Sequence, residues 1–403
     1  MKLLWVKSDF LHPTTKGGHI RTLEMLKRLH ARHEIHYVAL ENPNSPEGLE
    51  RSREYASRAY PVRHSVPSKR SFAFAGRLAA GLFDPVPVAV SRFRSPAMLA
   101  EVSRLLAEGS FDRAVCDFLM AAPNFPSLGR ALLFEHNVEY VIWRRRTEQA
   151  ANPAARAYLA AQARRMFAYE RAACRAAGFV ATVSPVDSEI IEREFGVASA
   201  AVPTGVDTAY FARPDGLPAD PDLSSDLVFV GSMDWMPNHE GVTWFLRDIL
   251  PRIRARRPSV RVKIVGRDPS PILIKAVHET ATVHVTGIVN DIRPYLWNSA
   301  VSIVPLRVGS GTRLKIYEAM AAGTATVSTP LGAEGLPVEH GRHLLLAGDP
   351  ESFAAACLDL LGNEPLRREL AASAQAFVRE NFSWESVARQ FESILERAPR
   401  ASE

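Results

Sequence analysis

The chain has 403 residues, a formal charge of +5 and 47% hydrophobic residues. That length makes two or three domains the prior, and the hydrophobic share is enough to bury real cores. Cys116, Cys174 and Cys357 are far apart and odd in number, which argues against a disulfide framework or a cysteine metal site and fits a reducing cytoplasm.

The opening MKLLWVKSDF reads as a buried first strand, Lys2–Lys7, and is too short in its apolar run for a signal peptide. A helix follows near Ile20–Ala31, then a strand at Glu34–Leu40. Ser71–Val90 is the most apolar stretch, but Arg77, Asp84 and two prolines interrupt it, so no membrane-spanning helix is expected. Phe111–Cys116 and Ala131–Glu135 read as buried strands, Val138–Gln149 and Pro153–Ala177 as helices, and Phe179–Val183 as another strand. After Pro203-Thr204-Gly205 the proline- and aspartate-rich Arg213–Asp226 reads as a linker.

The pattern then restarts. Strands are predicted at Leu227–Val230, Val260–Val265, Val283–Thr286, Ala300–Val304 and Ala325–Ser328. Helices are predicted at Gly241–Arg256, Thr312–Ala322, Pro350–Leu361, Glu364–Asn381 and Trp384–Arg397. Such alternation argues for parallel sheets with crossover helices. Two such domains facing each other would set a two-substrate site beyond the carboxyl ends of their strands.

Arg307–Gly323, RVGSGTRLKIYEAMAAG, carries the most chemistry. Gly309-Ser310-Gly311 opens a helical pattern, Arg313 and Lys315 fall in its first turn, and Glu318 follows one turn later. Two cations there oppose the helix dipole unless an anion sits between them. A diphosphate would satisfy the amides, the dipole and both side chains. Glu318 is spaced to accept hydrogen bonds from a ribose diol, so the segment describes a nucleotide site. The plain alternative is a surface Lys315–Glu318 pair with Arg313 solvated, contributing about 0.2–0.5 kcal/mol.

Other features divide between site and scaffold. Gly17-Gly18 is either a tight turn or a place where a ligand approaches backbone. His136 ends the apolar strand A-L-L-F-E-H and so lies at a carboxyl edge, while Glu135 and Asn137 beside it read equally well as structural. Asp220 and Asp222 have a D-x-D spacing, but their proline-rich linker setting, with no strand end beside it, argues against a metal site. Eight arginines and two glutamates between Arg144 and Arg175 read as a solvated helix face or a contact to anionic membrane. Nucleic acid is not expected, since aromatic interleaving is sparse.

Several motifs together carry a resemblance. They are Pro13-Thr14-Thr15-Lys16-Gly17-Gly18, Glu135-His136-Asn137-Val138-Glu139, Val202-Pro203-Thr204-Gly205-Val206-Asp207-Thr208 and Val230-Gly231-Ser232-Met233. Val265-Gly266, Thr286-Gly287, G-T-R-L-K and Ser383-Trp384-Glu385 complete the order. The chain resembles the family-4 (group 1) retaining glycosyltransferases of the GT-B fold. The resemblance implies an α/β protein of two Rossmann-like domains, with parallel sheets facing across an interdomain cleft. It implies an acceptor-side domain over 1–205, a nucleotide-sugar domain over 206–382, and a last helix, 383–403, crossing back.

By the same resemblance, Gly17, Gly18, Gly231, Ser232, Ser310, Gly311, Thr312, Arg313, Lys315 and Glu318 would bind the donor. His136 would hydrogen-bond the donor sugar or organise the transition state, and Arg313 and Lys315 would stabilise the departing diphosphate. Ser310 stands where the family's first glutamate is known, and Gly311 and Thr312 amides would take over its contact. No basic residue follows Gly231, which puts the diphosphate charge on Arg313 and Lys315.

The implied activity is retaining, metal-independent transfer from a nucleoside-diphosphate sugar, such as a UDP-sugar, to a sugar or lipid-linked acceptor in polysaccharide or glycoconjugate biosynthesis. No cofactor is expected, and the site would be cytoplasmic, peripheral on the inner face of the membrane. Competing readings are a sugar-nucleotide epimerase, whose acid/base set is not evident, and a non-catalytic module on the same fold. A Rossmann dehydrogenase is disfavoured because PTTKGGHIR lacks G-x-G-x-x-G.

Overall fold

In a computed structural model of the chain, the described residues are 1–14, 17–42, 45–64, 84–150, 152–270, 273–274, 277, 282–308 and 314–401. Thr15 and Lys16 of the first loop, residues 71–83 of the apolar stretch, and Ser310, Gly311, Thr312 and Arg313 lie outside them. Two compact units emerge, 1–203 with 387–403, and 204–386.

Among the described residues, the first unit holds a seven-stranded parallel sheet in the order β3-β2-β1-β4-β5-β6-β7. The strands are β1 (Lys2–Lys7), β2 (Glu34–Glu41), β3 (Arg58–Arg63), β4 (Arg113–Asp117), β5 (Ala131–Phe134), β6 (Phe179–Thr182) and β7 (Ala200–Ala201). Side chains alternate across β1. Leu4 and Val6 join a core with Met98, Val102, Met166 and Ile191 from the covering helices. Trp5 faces the other way, its ring 5.5 Å from Phe391 of the helix Trp384–Arg397. The order reverses between β1 and β4, which puts the ends of those strands at a topological switch point. The helix Gly17–His30 starts there, three residues before the expected Ile20.

The second unit holds, among the described residues, a six-stranded parallel sheet in the order β10-β9-β8-β11-β12-β13. Its strands are β8 (Ser225–Val230), β9 (Val262–Val265), β10 (Val283–Val285), β11 (Ser299–Val304), β12 (Ala325–Ser328) and β13 (Leu345–Leu346). Here the order reverses between β8 and β11. The expected helix at Gly241–Arg256 begins earlier, at Met236, and widens into a π turn over Phe245–Ile249 before Leu250–Arg256. Pro251 has no N–H to offer the preceding turn, and its ring crowds the carbonyl four residues back.

Arg213–Asp226 is not a free linker. Arg213 Nη1 donates to the Trp297 carbonyl at 2.7 Å, and the Asp220 amide donates to Asn298 Oδ1 at 2.9 Å. Lys263 Nζ is bonded to the Asp222 carbonyl. These anchors all belong to the second unit, and composition could not reveal them. Asp220 Oδ1 accepts from the Asp222 amide at 2.9 Å, so the D-x-D spacing serves a turn.

Candidate functional site

In the second unit, β8 ends at Val230 and the chain turns through Gly231-Ser232-Met233 into the helix Met236–Trp244. The helix Leu314–Ala321 carries Lys315 to this turn. Lys315 Nζ donates to Asn238 Oδ1 at 2.6 Å, and Asn238 Nδ2 donates to the Ser232 carbonyl at 2.7 Å. Asn238 is buried, so its amide fixes the lysine against the turn. The ammonium stands 4.5 Å from the Phe229 ring centroid.

The absence of side chains lets these groups meet. A Cβ on Gly231 would lie 2.7 Å from Asn238 Nδ2 and 2.8 Å from Lys315 Nζ. A Cβ on Gly266 would come within 1.9 Å of the Gly231 carbonyl oxygen, so the ends of β8 and β9 meet backbone to backbone. Ser232 Oγ accepts from Arg267 Nε at 2.8 Å and is bonded to Asp234. Arg267 Nη2 also reaches Asp234 Oδ2 at 3.2 Å.

Glu318 lies one turn beyond Lys315 and is half-buried. Burial raises its pKa above the ordinary carboxylate value, and the Lys315 charge opposes that rise. The structure therefore brings Gly231, Ser232, Lys315 and Glu318 into one neighbourhood of the second unit.

The first unit has its own polar centre at the ends of β1, β4 and β5. Lys7 and Asp117 are register partners at those ends. Asp117 is fully buried and accepts from Lys7 Nζ at 3.0 Å, Trp5 Nε1 at 2.8 Å and Thr22 Oγ1 at 2.9 Å. His136 Nε2 stands 2.6 Å from its Oδ1. Burial works to raise the Asp117 pKa, but Lys7 and His136 outweigh it and hold the group well below the usual carboxylate range.

Burial pushes the His136 pKa down to about 4, against the pull of Asp117 and with the push of Lys7. At neutral pH the imidazole is uncharged, so the short bond to an ionised carboxylate assigns the proton to Nε2. Nδ1 then carries a lone pair. A Cβ on Gly18 would lie 3.3 Å from that atom, so Gly18 keeps the face of Nδ1 open. Gly17 begins the same helix.

Glu135 is buried and its pKa is raised well above the ordinary value by burial, with Glu170 adding to the effect. Glu170 accepts from the amides of Glu139 at 2.7 Å and Tyr140 at 2.8 Å, which fixes the start of the helix Glu139–Gln149. Nearby, a cavity of about 310 Å³ is lined by Asp9, Phe10, His12, His19, Glu41 and Asn42 among others. His19 Nε2 pairs with Asp9 Oδ2 at 2.9 Å.

Among the described residues, no group of three or more histidines, cysteines or acids could hold a metal ion, and no helix is long and apolar enough to cross a membrane. Sequence reasoning missed Asn238, Arg267, Asp117 and Lys7. Asp117 and Lys7 end strands that flank the switch point, and Arg267 follows a strand-ending glycine. That placement was the available signal.

Residues 224–363 match the family described as glycosyl transferases group 1. Over 204 residues the chain is 31% identical to the phosphatidyl-myo-inositol mannosyltransferase of Mycobacterium tuberculosis (strain ATCC 25618 / H37Rv), covering 48% of this chain and 53% of that protein. Over 178 residues it is 28% identical to an uncharacterized 44.6 kDa protein in the cps region of Klebsiella pneumoniae, covering 42% and 45%. The chain thus spans about half the length of the curated relatives it matches.

Among solved structures, sucrose-phosphate synthase from Thermosynechococcus elongatus superposes with a TM-score of 0.66 at 18% identity, over 98% of both chains. Anabaena HepE in complex with UDP gives a TM-score of 0.66 at 13% identity, over 98% of this chain and 100% of that one. At these identities the likeness shows the fold, which is GT-B.

Proposed function

We propose that this chain, whose residues 224–363 match the group 1 glycosyl transferases, is a retaining glycosyltransferase that uses a nucleoside-diphosphate sugar and no bound metal. The observation that carries the reading is Lys315, held by Asn238 over the side-chain-free Gly231 with Glu318 one turn away. A cation fixed in advance beside an exposed backbone turn suits a departing diphosphate, because stabilisation of developing charge gains most from groups that need not reorganise. Arg313 would add a second cation, the amides of Gly311 and Thr312 with Ser310 would line the phosphates, and Ser232 would complete the turn. Glu318 would hold the ribose hydroxyls.

In the proposed reaction the bond between the anomeric carbon and the diphosphate oxygen breaks, and a bond to the acceptor oxygen forms on the same face. The acceptor proton passes to the departing phosphate, which leaves as nucleoside diphosphate. That route needs no second carboxylate of the hydrolase kind. His136, with its Nδ1 lone pair open beside Gly18, would accept from a sugar hydroxyl.

The acceptor would be a sugar or lipid-linked sugar, and the cavity lined by Asp9, His19, Glu41 and Asn42 supplies hydroxyl-binding groups. HepE binds UDP in its structure, which supports UDP as the nucleotide to try first. Exposed Arg144, Arg145, Arg146 and Arg156 support peripheral attachment to the inner face of the membrane from the cytoplasm.

The test is release of UDP from a panel of UDP-sugars by the purified protein, with a lipid extract as acceptor, in the presence and absence of EDTA. Release that survives EDTA and yields product of retained anomeric configuration fits the proposal. Chelator-sensitive release, or an inverted product, overturns the corresponding part.

A further inference from the structure

Among the described residues of the first unit, Arg21 is a buried cation with no carboxylate in ion-pair contact. It lies on the helix Gly17–His30, three residues after Gly18, so both occupy one helix face. Thr22, four residues after Gly18, is bonded to Asp117 on that same side. Arg21 is only 6% exposed, and its Nε has no hydrogen-bond partner among the described residues.

Its charge is felt by Asp187 and Asp117. Asp117 is already engaged by Trp5, Lys7, Thr22 and His136. Asp187 is held by Ser184, whose hydroxyl donates to it at 2.6 Å and caps the helix Pro185–Phe195. Among the described residues neither carboxylate forms an ion pair with Arg21. Burial lowers the guanidinium pKa to about 10, so it remains cationic at neutral pH.

A buried charge with no partner is expensive, and folds normally supply one. Lys7 shows the ordinary solution on this same rim, paired with Asp117 at 3.0 Å. The planar guanidinium fork fits the oxygens of a phosphate or carboxylate.

We infer that Arg21 is an anion-binding residue of the first unit, taking a phosphate or carboxylate of a substrate whose hydroxyl His136 accepts beside Gly18. The inference rests on the glycosyltransferase reading and narrows its substrate. The anion belongs either to the diphosphate of the donor or to an anionic acceptor.

Inorganic phosphate and UDP are the probes. In a Lys315→Ala background, phosphate should still raise the Tm of the full chain, and adding Arg21→Met should abolish that rise. Arg21→Lys should keep part of it. An equal phosphate response with and without Arg21→Met overturns the site. In phosphate-free buffer Arg21→Met alone should leave the Tm unchanged or higher, since it removes a buried charge that no direct ion pair holds. A fall of several degrees, or an insoluble variant, makes Arg21 a structural cation and overturns the site.

Calorimetric titration with UDP separates the sources. A tenfold loss of UDP affinity in Arg21→Met assigns the anion to the donor, and unchanged affinity with a lost phosphate response assigns it to the acceptor. If the wild-type protein fails to bind UDP yet keeps an Arg21-dependent phosphate response, the glycosyltransferase reading fails and the anion site stands.

Discussion

Replacing Asp117 by asparagine should damage the first unit more than any other single polar change. The carboxylate takes four partners at 2.6–3.0 Å and is fully buried. Asparagine keeps the shape and removes the charge, which leaves the Lys7 ammonium, 4% exposed, without its counter-ion. Breaking a buried pair from one side costs about 3–5 kcal/mol. Removing both members, in Lys7→Met with Asp117→Asn, should recover a large part of that loss, because an apolar replacement relieves the stranded charge. Two compact units need not unfold together, so the assay is native-state hydrogen exchange of the β1 and β4 amides. A cost under about 1 kcal/mol for Asp117→Asn, or a double variant whose loss is the sum of the singles, would refute the reasoning.

Stability should also depend on pH through His136. Its folded pKa, about 4, lies below the ordinary 6.5, so the unfolded chain binds the extra proton between those values. The stabilisation is complete above about pH 6.5 and falls by about 3 kcal/mol as the pH drops toward 4. His136→Phe should flatten that part of the first unit's pH–stability curve, and an unchanged slope would contradict the buried neutral imidazole. Glu318→Gln should weaken UDP binding and reduce discrimination against 2′,3′-dideoxy-UDP, since the wild-type site leaves a desolvated carboxylate unpaired with the analogue. An unaltered discrimination ratio in a folded variant would return Glu318 to a structural role.

Much of the fold was legible because its signals are local. Alternating apolar runs gave β1, β4, β5, β6, β8, β9, β11 and β12 to within two residues at either end, and parallel sheets followed from the helices between them. β3, with Arg58 and Arg63 at its ends, and the two-residue β7 and β13 carry little periodicity and escaped notice. The helix Met236–Trp244 began before its apolar pattern did, since Pro237 and Asn238 look like loop residues.

Of the candidate site, the glycines and Lys315 stood out in the sequence, but the groups that contact them did not. Asn238 belongs to a stretch that drew attention only for lacking a cation, yet its amide holds Lys315. Arg267 then reaches Ser232 from the end of a different strand, a meeting that linear spacing cannot show. His136 stood out as a strand-end histidine, while its uncharged state and open Nδ1 depend on Asp117, nineteen positions earlier.

Lys315 decides whether the second unit holds a donor diphosphate. Calorimetric titration of UDP into wild type and Lys315→Ala, with the Tm of both recorded, measures that role without requiring the acceptor. Loss of one charge-assisted contact to the diphosphate should weaken binding by at least about tenfold, or roughly 1.5–3 kcal/mol, in a variant that remains folded. Equal UDP affinity in the two proteins would contradict a diphosphate site at Gly231, Asn238 and Lys315.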